Sequence, residues 1–104
     1  MTVNMFLMNK REQLLKAMAD STRLKILELL LSGEKCVCEI FPHVKKTQST
    51  VSIHLGKMEQ LGLIRSRRDG KRIYYQIKEE MICNIFKVTG YKGLYTYKKR
   101  GKTC

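Results

Sequence analysis

The stretch that decides the fold is residues 47–77, which read TQSTVSIHLGKMEQLGLIRSRRDGKRIYYQI. The first half predicts a helix over Gln48–Leu61, because Thr47 is a good N-cap residue and Gly62 is a good C-terminal stop. The apolar residues that recur at helical spacing within it are Val51, Leu55 and Met58. We therefore expect these three to face the core and the short polar residues to face outward.

The second half predicts a β-hairpin. Two strand-like runs, Leu63–Arg68 and Arg72–Ile77, flank the dipeptide Asp69-Gly70, which is a strong hairpin signal. The cations on this hairpin are Arg65, Arg67, Arg68, Lys71 and Arg72. Like charges on one ribbon repel each other, whereas a phosphate backbone would neutralise them. A solvated hairpin is the alternative, but a polar-faced helix followed by a basic hairpin favours a winged helix-turn-helix.

The residues before this stretch predict two helices. Asp20 is a suitable N-cap for a helix over Ser21–Leu31, which is apolar nearly all round and is therefore expected to be the buried central helix. A first helix is predicted over Met5–Ala19. The residues expected on its buried face are Met8, Leu14, Leu15 and Met18.

Two further helices complete the predicted architecture. A short third helix is expected over Cys36–Val44, with Pro42 near its end or stopping it early, and a last helix over Glu79–Thr89. The fold class is thus mainly α with a small β-hairpin: a winged helix-turn-helix of about five helices and a two-stranded wing. We expect a DNA-binding and dimerisation domain over 1–90 and a basic tail of unassigned structure over 91–104.

The distribution of charge agrees with a nucleic-acid partner. The chain has 104 residues, 43% of them hydrophobic, and a formal net charge of +12. Residues 1–44 are nearly neutral, whereas residues 45–72 contain eight Lys and Arg against two Asp and Glu. Such an excess favours a polyanion, with nucleic acid ahead of a membrane surface, although some proteins simply have basic surfaces.

Composition also bounds the cellular setting. No apolar run approaches the roughly 20 residues that span a bilayer, and the apolar N-terminal segment is too short for a signal peptide. We therefore expect a cytoplasmic protein without a membrane partner. In that compartment the four cysteines are expected to be reduced, which argues against a disulfide framework and leaves metal or redox chemistry open.

The helix and the hairpin define the expected DNA contacts. The N-terminal side chains of a helix in the major groove reach base edges, and the base-reading candidates are Gln48, Ser49, Thr50 and Ser52. The candidates for phosphate or minor-groove contacts are Arg67, Arg68, Lys71 and Arg72. His54 is a further candidate for a phosphate contact, although a lone helical histidine is more often structural or solvated. An ordinary amphipathic helix is the alternative for the whole segment.

Four runs of sequence together resemble the ArsR/SmtB-type metalloregulatory repressors. They are Ala19–Leu27, Gln48–Leu55, Leu61–Ile64 and Gly70–Tyr75, and the resemblance covers roughly residues 10–88. It implies a dimeric winged-helix repressor that pairs through its first and last helices and is released from operator DNA by an inducer. One position departs from the family pattern: Ile53 stands where the family often has a DNA-contacting arginine.

The segment Cys36-Val37-Cys38-Glu39 resembles the soft-metal box of this family. Two thiolates suit arsenite, antimonite, cadmium, lead or zinc. Residues two apart on a regular helix point about 200° apart, so joint chelation needs a helix that starts irregularly. Family members often supply a third cysteine where this chain has Phe41. Cys104 is the candidate third ligand, and Cys83 is a weaker one because it is expected to pack within the last helix.

The resulting hypothesis is a sequence-specific repressor that As(III), Sb(III) or a thiophilic metal at Cys36 and Cys38 releases from an operator. It requires no cofactor, and a homodimer would place two helices about one DNA turn apart on an inverted repeat. The alternatives are a cysteine redox switch, a DNA-binding protein without a ligand, and small buried cysteines without a role. A thiol oxidoreductase is disfavoured because the spacing is not Cys-x-x-Cys, and we do not expect an enzyme.

Overall fold

The computed structural model describes residues 9–90, which form five α-helices and three β-strands. In chain order they are α1 (Lys10–Met18), α2 (Ser21–Leu30), β1 (Lys35–Cys36), α3 (Val37–Val44), α4 (Gln48–Gln60), β2 (Ile64–Asp69), β3 (Arg72–Ile77) and α5 (Glu80–Val88). This arrangement is the predicted winged helix-turn-helix. The expected first turn of the first helix, with Met8, and the basic tail, with Cys104, lie outside the described residues.

Side-chain caps begin two of the helices, as predicted. The carboxylate of Asp20 accepts a hydrogen bond from the backbone N–H of Arg23 at 3.0 Å, and this bond is the main reason that the pKa of Asp20 is lowered. The Thr47 hydroxyl accepts from the backbone N–H of Thr50 at 3.2 Å. Each cap satisfies an N–H group that the first turn of a helix leaves without a partner.

The core lies between α2, α4 and the elements packed around them. Its fully buried side chains include the predicted inward face of α4 and the inward face of α2, namely Val51, Leu55, Met58, Ile26, Leu27 and Leu30. One expectation for α1 is wrong, because Leu15 is 57% exposed. On α1 the buried stripe is Leu14, Ala17 and Met18, and a 100° step from Leu14 turns Leu15 away from it.

The hairpin forms with a turn shifted by one residue from the prediction. β2 and β3 pair antiparallel from Ile64 opposite Ile77 to Asp69 opposite Arg72. The two-residue turn is therefore Gly70-Lys71 rather than Asp69-Gly70. Gly70 holds the first central position with φ +64°, the left-handed conformation that glycine adopts without steric cost.

A third strand, which the sequence did not predict, joins the two-stranded wing. β1 pairs antiparallel with β3, Lys35 opposite Tyr75 and Cys36 opposite Tyr74, so that the strand order is β1-β3-β2. Cys36 is consequently the last residue of a strand and the N-cap of α3, not its first helical residue. A two-residue strand has no readable periodicity, because it exists only where β3 offers backbone groups to pair with.

α3 connects this sheet to the turn before α4. Pro42 lies inside α3 near its end, as expected, and the helix stops two residues later, where Lys45 adopts a left-handed conformation with φ +59°. α3 packs against both α2 and α4. In the part of the chain that the structure describes, no helix has the length and apolar character that a membrane crossing demands.

Candidate functional site

The polar N-terminus of α4 is presented to solvent. Gln48, Ser49 and Ser52 are exposed, whereas Thr50 is half-buried. The Thr47 hydroxyl donates to the Thr50 hydroxyl at 2.9 Å and lies 3.3 Å from that of Ser49, so both hydroxyls belong to the cap network. The side chains of Gln48 and Ser52 form no hydrogen bond within residues 9–90, and their donors and acceptors face outward.

His54 is half-buried on the side of α4 that faces the start of α2. Its Nδ1 lies 3.3 Å from Nη1 of Arg23, whose Nε donates to the carbonyl of Ala17 at 2.8 Å. A guanidinium group only donates hydrogen bonds, so Nδ1 of His54 is the acceptor. This chain of bonds ties α4 to the α1–α2 corner and gives His54 a structural role; its contact with phosphate stays a prediction.

Arg67 on the hairpin is held by an ion pair that the sequence did not predict. Its guanidinium donates to both carboxylate oxygens of Glu34, at 2.8 and 2.7 Å, and lies 4.7 Å from the ring centroid of Tyr74. The Arg67 guanidinium is also the main reason that the pKa of Glu34 is lowered. Arg67 therefore has a partner before any nucleic acid approaches.

Arg68 points to the opposite face of the hairpin, because successive strand residues alternate. On that face Ser66 donates to the carboxylate of Glu59 at 2.7 Å, so it is the face turned toward α4. Arg68, Lys71 and Arg72 are exposed. None of the three forms an ion pair with another described residue, and together they make a basic hairpin tip.

Cys36 and Cys38 lie together at the start of α3. Their sulfur atoms are bonded as a disulfide, with the Cα atoms 5.1 Å apart, so the expectation that these two are reduced is wrong in this structure. The extended backbone of Cys36, with φ −72° and ψ 147°, makes this contact feasible. The irregular helix start that joint chelation requires is therefore present.

The two cysteines differ in accessibility and share one capping network. Cys36 is 3% exposed, whereas Cys38 faces solvent. The Cys36 N–H donates to the Glu39 carboxylate at 2.9 Å, and the Cys36 sulfur accepts from the Cys38 N–H at 3.1 Å. Any reaction at this pair acts directly on the first turn of α3.

The structure does not complete the proposed ligand set. No group of three His, Cys, Asp or Glu side chains suited to a metal ion occurs among residues 9–90. Cys83 is buried in the hydrophobic core on α5, in agreement with its expected packing role. Phe41, at the place where the family often has a third cysteine, packs against the same core. Cys104 lies outside the described residues.

Three contributors to the site were missed from the sequence. Glu34 reaches Arg67 because β1 brings the segment before α3 to the hairpin, whereas Tyr74 lies opposite Arg67 in the β2–β3 pairing itself. Arg23 meets His54 from 31 residues away. The sequence offered one signal for the ion pair of Arg67: Glu34 is an acidic residue just before the cysteine pair, and an arginine-rich hairpin follows later in the chain.

The fold and this surface define a class: winged helix-turn-helix DNA-binding regulators. Residues 20–66 match the model of the family described as "Bacterial regulatory protein, arsR family". An HTH-type transcriptional regulator of Methanocaldococcus jannaschii is 38% identical over 80 residues, covering 76% of this chain and 90% of that protein. The arsenical resistance operon repressor of Staphylococcus aureus is 36% identical over 72 residues, covering 69% of each.

A solved structure agrees with these sequence relatives. The homodimeric winged helix-turn-helix DNA-binding domain of a possible ArsR-family regulator from Mycobacterium bovis has a TM-score of 0.70 at 34% identity, covering 77% of this chain and 74% of that one. The chain therefore belongs to the ArsR family of bacterial transcriptional regulators. Membership in a family of DNA-binding regulators confirms the prediction that it is not an enzyme.

Proposed function

We propose that this regulator represses transcription by binding an inverted-repeat operator and that a thiophilic ion at Cys36 and Cys38 releases it. The single observation that carries the proposal is the pairing of these two sulfurs at the start of α3, the helix that packs directly against α4. An arsenical resistance operon repressor among the relatives supports arsenite or antimonite as the inducer. Cadmium, lead and zinc are alternatives with the same preference for thiolates.

The DNA-binding half of the proposal assigns roles by position. The N-terminal side chains of α4, namely Gln48, Ser49, Thr50 and Ser52, would reach base edges. The basic hairpin tip would contact phosphates or the adjacent minor groove. Arg67 would remain with Glu34 on the far face and position the hairpin. His54 would reach phosphate only through Nε2, since its Nδ1 accepts from Arg23.

A homodimer is part of the same proposal. Leu15 on α1 and Val88 on α5 are large, exposed apolar side chains, and Leu15 lines a groove together with Leu24 and Ile85. Burial of this apolar surface against a second copy is favourable. The Leu15→Lys variant is expected to shift the molecular mass in sedimentation toward that of a monomer.

The donor set fits a thiophilic ion in part. In the reduced protein Cys36 and Cys38 would provide two soft thiolates. Their Cα separation of 5.1 Å lets both sulfurs reach one ion. Bound there, the ion would link the end of β1 to the second residue of α3. A third thiolate is proposed to come from Cys104.

The structure offers a route from this pair to the hairpin. Cys36 lies opposite Tyr74 in the β1–β3 pairing, and Tyr74 stacks on Arg67. Glu34, the partner of Arg67, precedes Cys36 by only two residues. Movement of β1 on ligand binding would therefore disturb the Glu34–Arg67 pair as well as the α3–α4 packing. Coupling of two sites needs such a shared element.

Operator binding under reducing conditions tests the proposal. The preferred site is first selected from a random DNA pool, and its affinity is then measured with arsenite, antimonite, cadmium, lead and zinc. We expect at least one ion to weaken binding and the Cys36→Ser/Cys38→Ser variant to bind the operator but to lose that response. A panel without effect, or a double variant that still responds, would contradict the proposal.

The third ligand has its own test. Cys104→Ser is expected to lower the affinity for the ion while leaving operator binding by the ion-free protein unchanged. An unchanged affinity for the ion would remove Cys104 from the site.

A second candidate function, a redox switch at the same pair, is favoured by the disulfide itself. As the S–S bond forms, two thiols give up two electrons and two protons, and hydrogen peroxide takes them up to become two waters. The redox switch is favoured if peroxide changes the operator affinity, dithiothreitol restores it, and none of the ions alters it. Counting thiols before and after peroxide in the wild type and in the Cys36→Ser/Cys38→Ser variant identifies the pair.

A further inference from the structure

One exposed apolar side chain lies in the middle of the DNA-facing helix. Ile53 is 72% exposed. The other large hydrophobic residues that are exposed among residues 9–90, Leu15 and Val88, lie on α1 and α5, where the proposed dimer contact covers them. Ile53 has no such partner within the described fold. A single exposed apolar residue is common on protein surfaces, so a role for Ile53 has to follow from the residues around it.

Ile53 projects from the face of α4 directly opposite the core. Successive helical residues step by about 100°, and the buried side chains Val51, Leu55 and Met58 define the inward direction. On that geometry the side chains nearest to Ile53 are those of Ser49 and Thr50, one turn before it, and those of Gly56 and Lys57, one turn after it. These neighbours, which include the long side chain of Lys57, leave Ile53 72% exposed, so none of them covers it in the described fold.

Gly56 strengthens the case for a close partner. A Cβ built on it would meet nothing within 4 Å, so the described fold gives no steric reason for a glycine in the middle of α4. Glycine is among the poorest helix formers. A surface that approaches this face closely would explain why a side chain is missing there.

Resting on the proposed operator binding through α4, we propose that Ile53 contacts the C5-methyl group of a thymine in the major groove. The thymine methyl is the apolar group that base pairs present in that groove, and aliphatic side chains contact it. The flanking polar side chains of Ser49 and Ser52 can bond to neighbouring base edges. Ile53 thus specifies thymine at one position in each half-site. A side chain that ends in a hydroxyl or an amide group would not give this preference.

Removal of single methyl groups from the operator tests this role. In the operator selected from random DNA, each thymine is replaced in turn by deoxyuridine, which keeps base pairing and loses only the methyl group. Wild-type protein is expected to bind about fourfold more weakly per half-site at one symmetry-related position, the factor for withdrawing one methyl group from burial. Replacement at the other thymines serves as the internal control.

Variants of Ile53 connect the effect to this side chain. Ile53→Ala is expected to bind the thymine and deoxyuridine operators equally, and Ile53→Val is expected to keep part of the preference. Because the side chain is exposed, both variants should fold, which circular dichroism checks. A wild type that is indifferent to every replacement, or an Ile53→Ala variant that keeps the preference, would overturn the inference. Failure to select any DNA sequence would instead overturn the proposed operator binding on which it rests.

Discussion

Two neighbouring arginines on β2 are expected to contribute differently to DNA binding. Arg68 faces the α4 side of the hairpin without an ion pair in the described chain, whereas Arg67 faces away and is held by Glu34 at 2.7 and 2.8 Å. Each cation that neutralises a phosphate steepens the dependence of log K on log salt by about 0.9. In a dimer, Arg68→Ala should therefore reduce the slope by about 1.8.

The effect is large enough to measure. When the salt concentration rises from about 50 to about 200 mM, the wild type is expected to lose about twelvefold more affinity than Arg68→Ala does. Fluorescence anisotropy with the selected operator at several salt concentrations gives both slopes. Arg67→Ala is the matched control, because it removes the same charge from the adjacent residue, and its slope is expected to stay that of the wild type.

Glu34→Gln completes the comparison. Without Glu34, Arg67 keeps only the longer ion pair with Asp69 at 3.9 Å and is able to turn to the DNA. The slope is then expected to steepen toward the value for one additional phosphate contact per protomer. Equal reductions in slope for Arg67→Ala and Arg68→Ala would refute the reasoning, since they would mean that the Glu34–Arg67 pair opens in the complex.

Three predictions concern stability, each measured as the free energy of unfolding in urea. The lowered pKa of Asp20 means that its charge stabilises the fold above its ordinary pKa and that this contribution is lost as the pH falls through the folded value. The advantage of wild type over Asp20→Asn, which keeps a capping oxygen, should therefore be smaller at about pH 3 than at about pH 7; a constant difference would contradict this. Thr47→Ala should cost about 1 kcal/mol through its lost cap, whereas Thr47→Ser should not; equal losses would argue against the cap. Gly70→Ala should destabilise the fold by about 1 kcal/mol because residue 70 has a positive φ. Gly56→Ala should stabilise it, because position 56 is helical and has open space for a Cβ. Effects of the same sign would show that backbone conformation does not explain the difference.

Local rules were sufficient wherever neighbours in the chain decide the outcome. Asp20 and Thr47 cap the helices they were expected to cap, because the bond spans only three residues. The inward face of α4 follows from a fixed helical period. On α1 the helical period predicts too wide a buried face. It includes Leu15, whereas only a narrow stripe of α1 is buried.

Contacts between distant segments needed the tertiary structure. β1 forms only because β3 offers it an edge, and this pairing turns Cys36 from a helical residue into an N-cap beside Cys38. Arg67 finds Glu34 from 33 residues away. Counting charges along the sequence identified the hairpin as the basic surface. It could not show which cations of the hairpin form ion pairs.

The sequence by itself determined the class of fold, the helix bearing the polar contact side chains, the basic hairpin and the cysteine pair, since each depends on periodicity, capping or spacing over a few residues. The tertiary structure alone decided how these parts meet: the two sulfurs side by side, Glu34 on Arg67, and His54 on Arg23. The physical reason is that side chains far apart in sequence interact only after strand pairing and helix packing have brought their backbones together. The two sulfurs are close in sequence, but they meet because the pairing of β1 with β3 holds Cys36 extended at the start of α3.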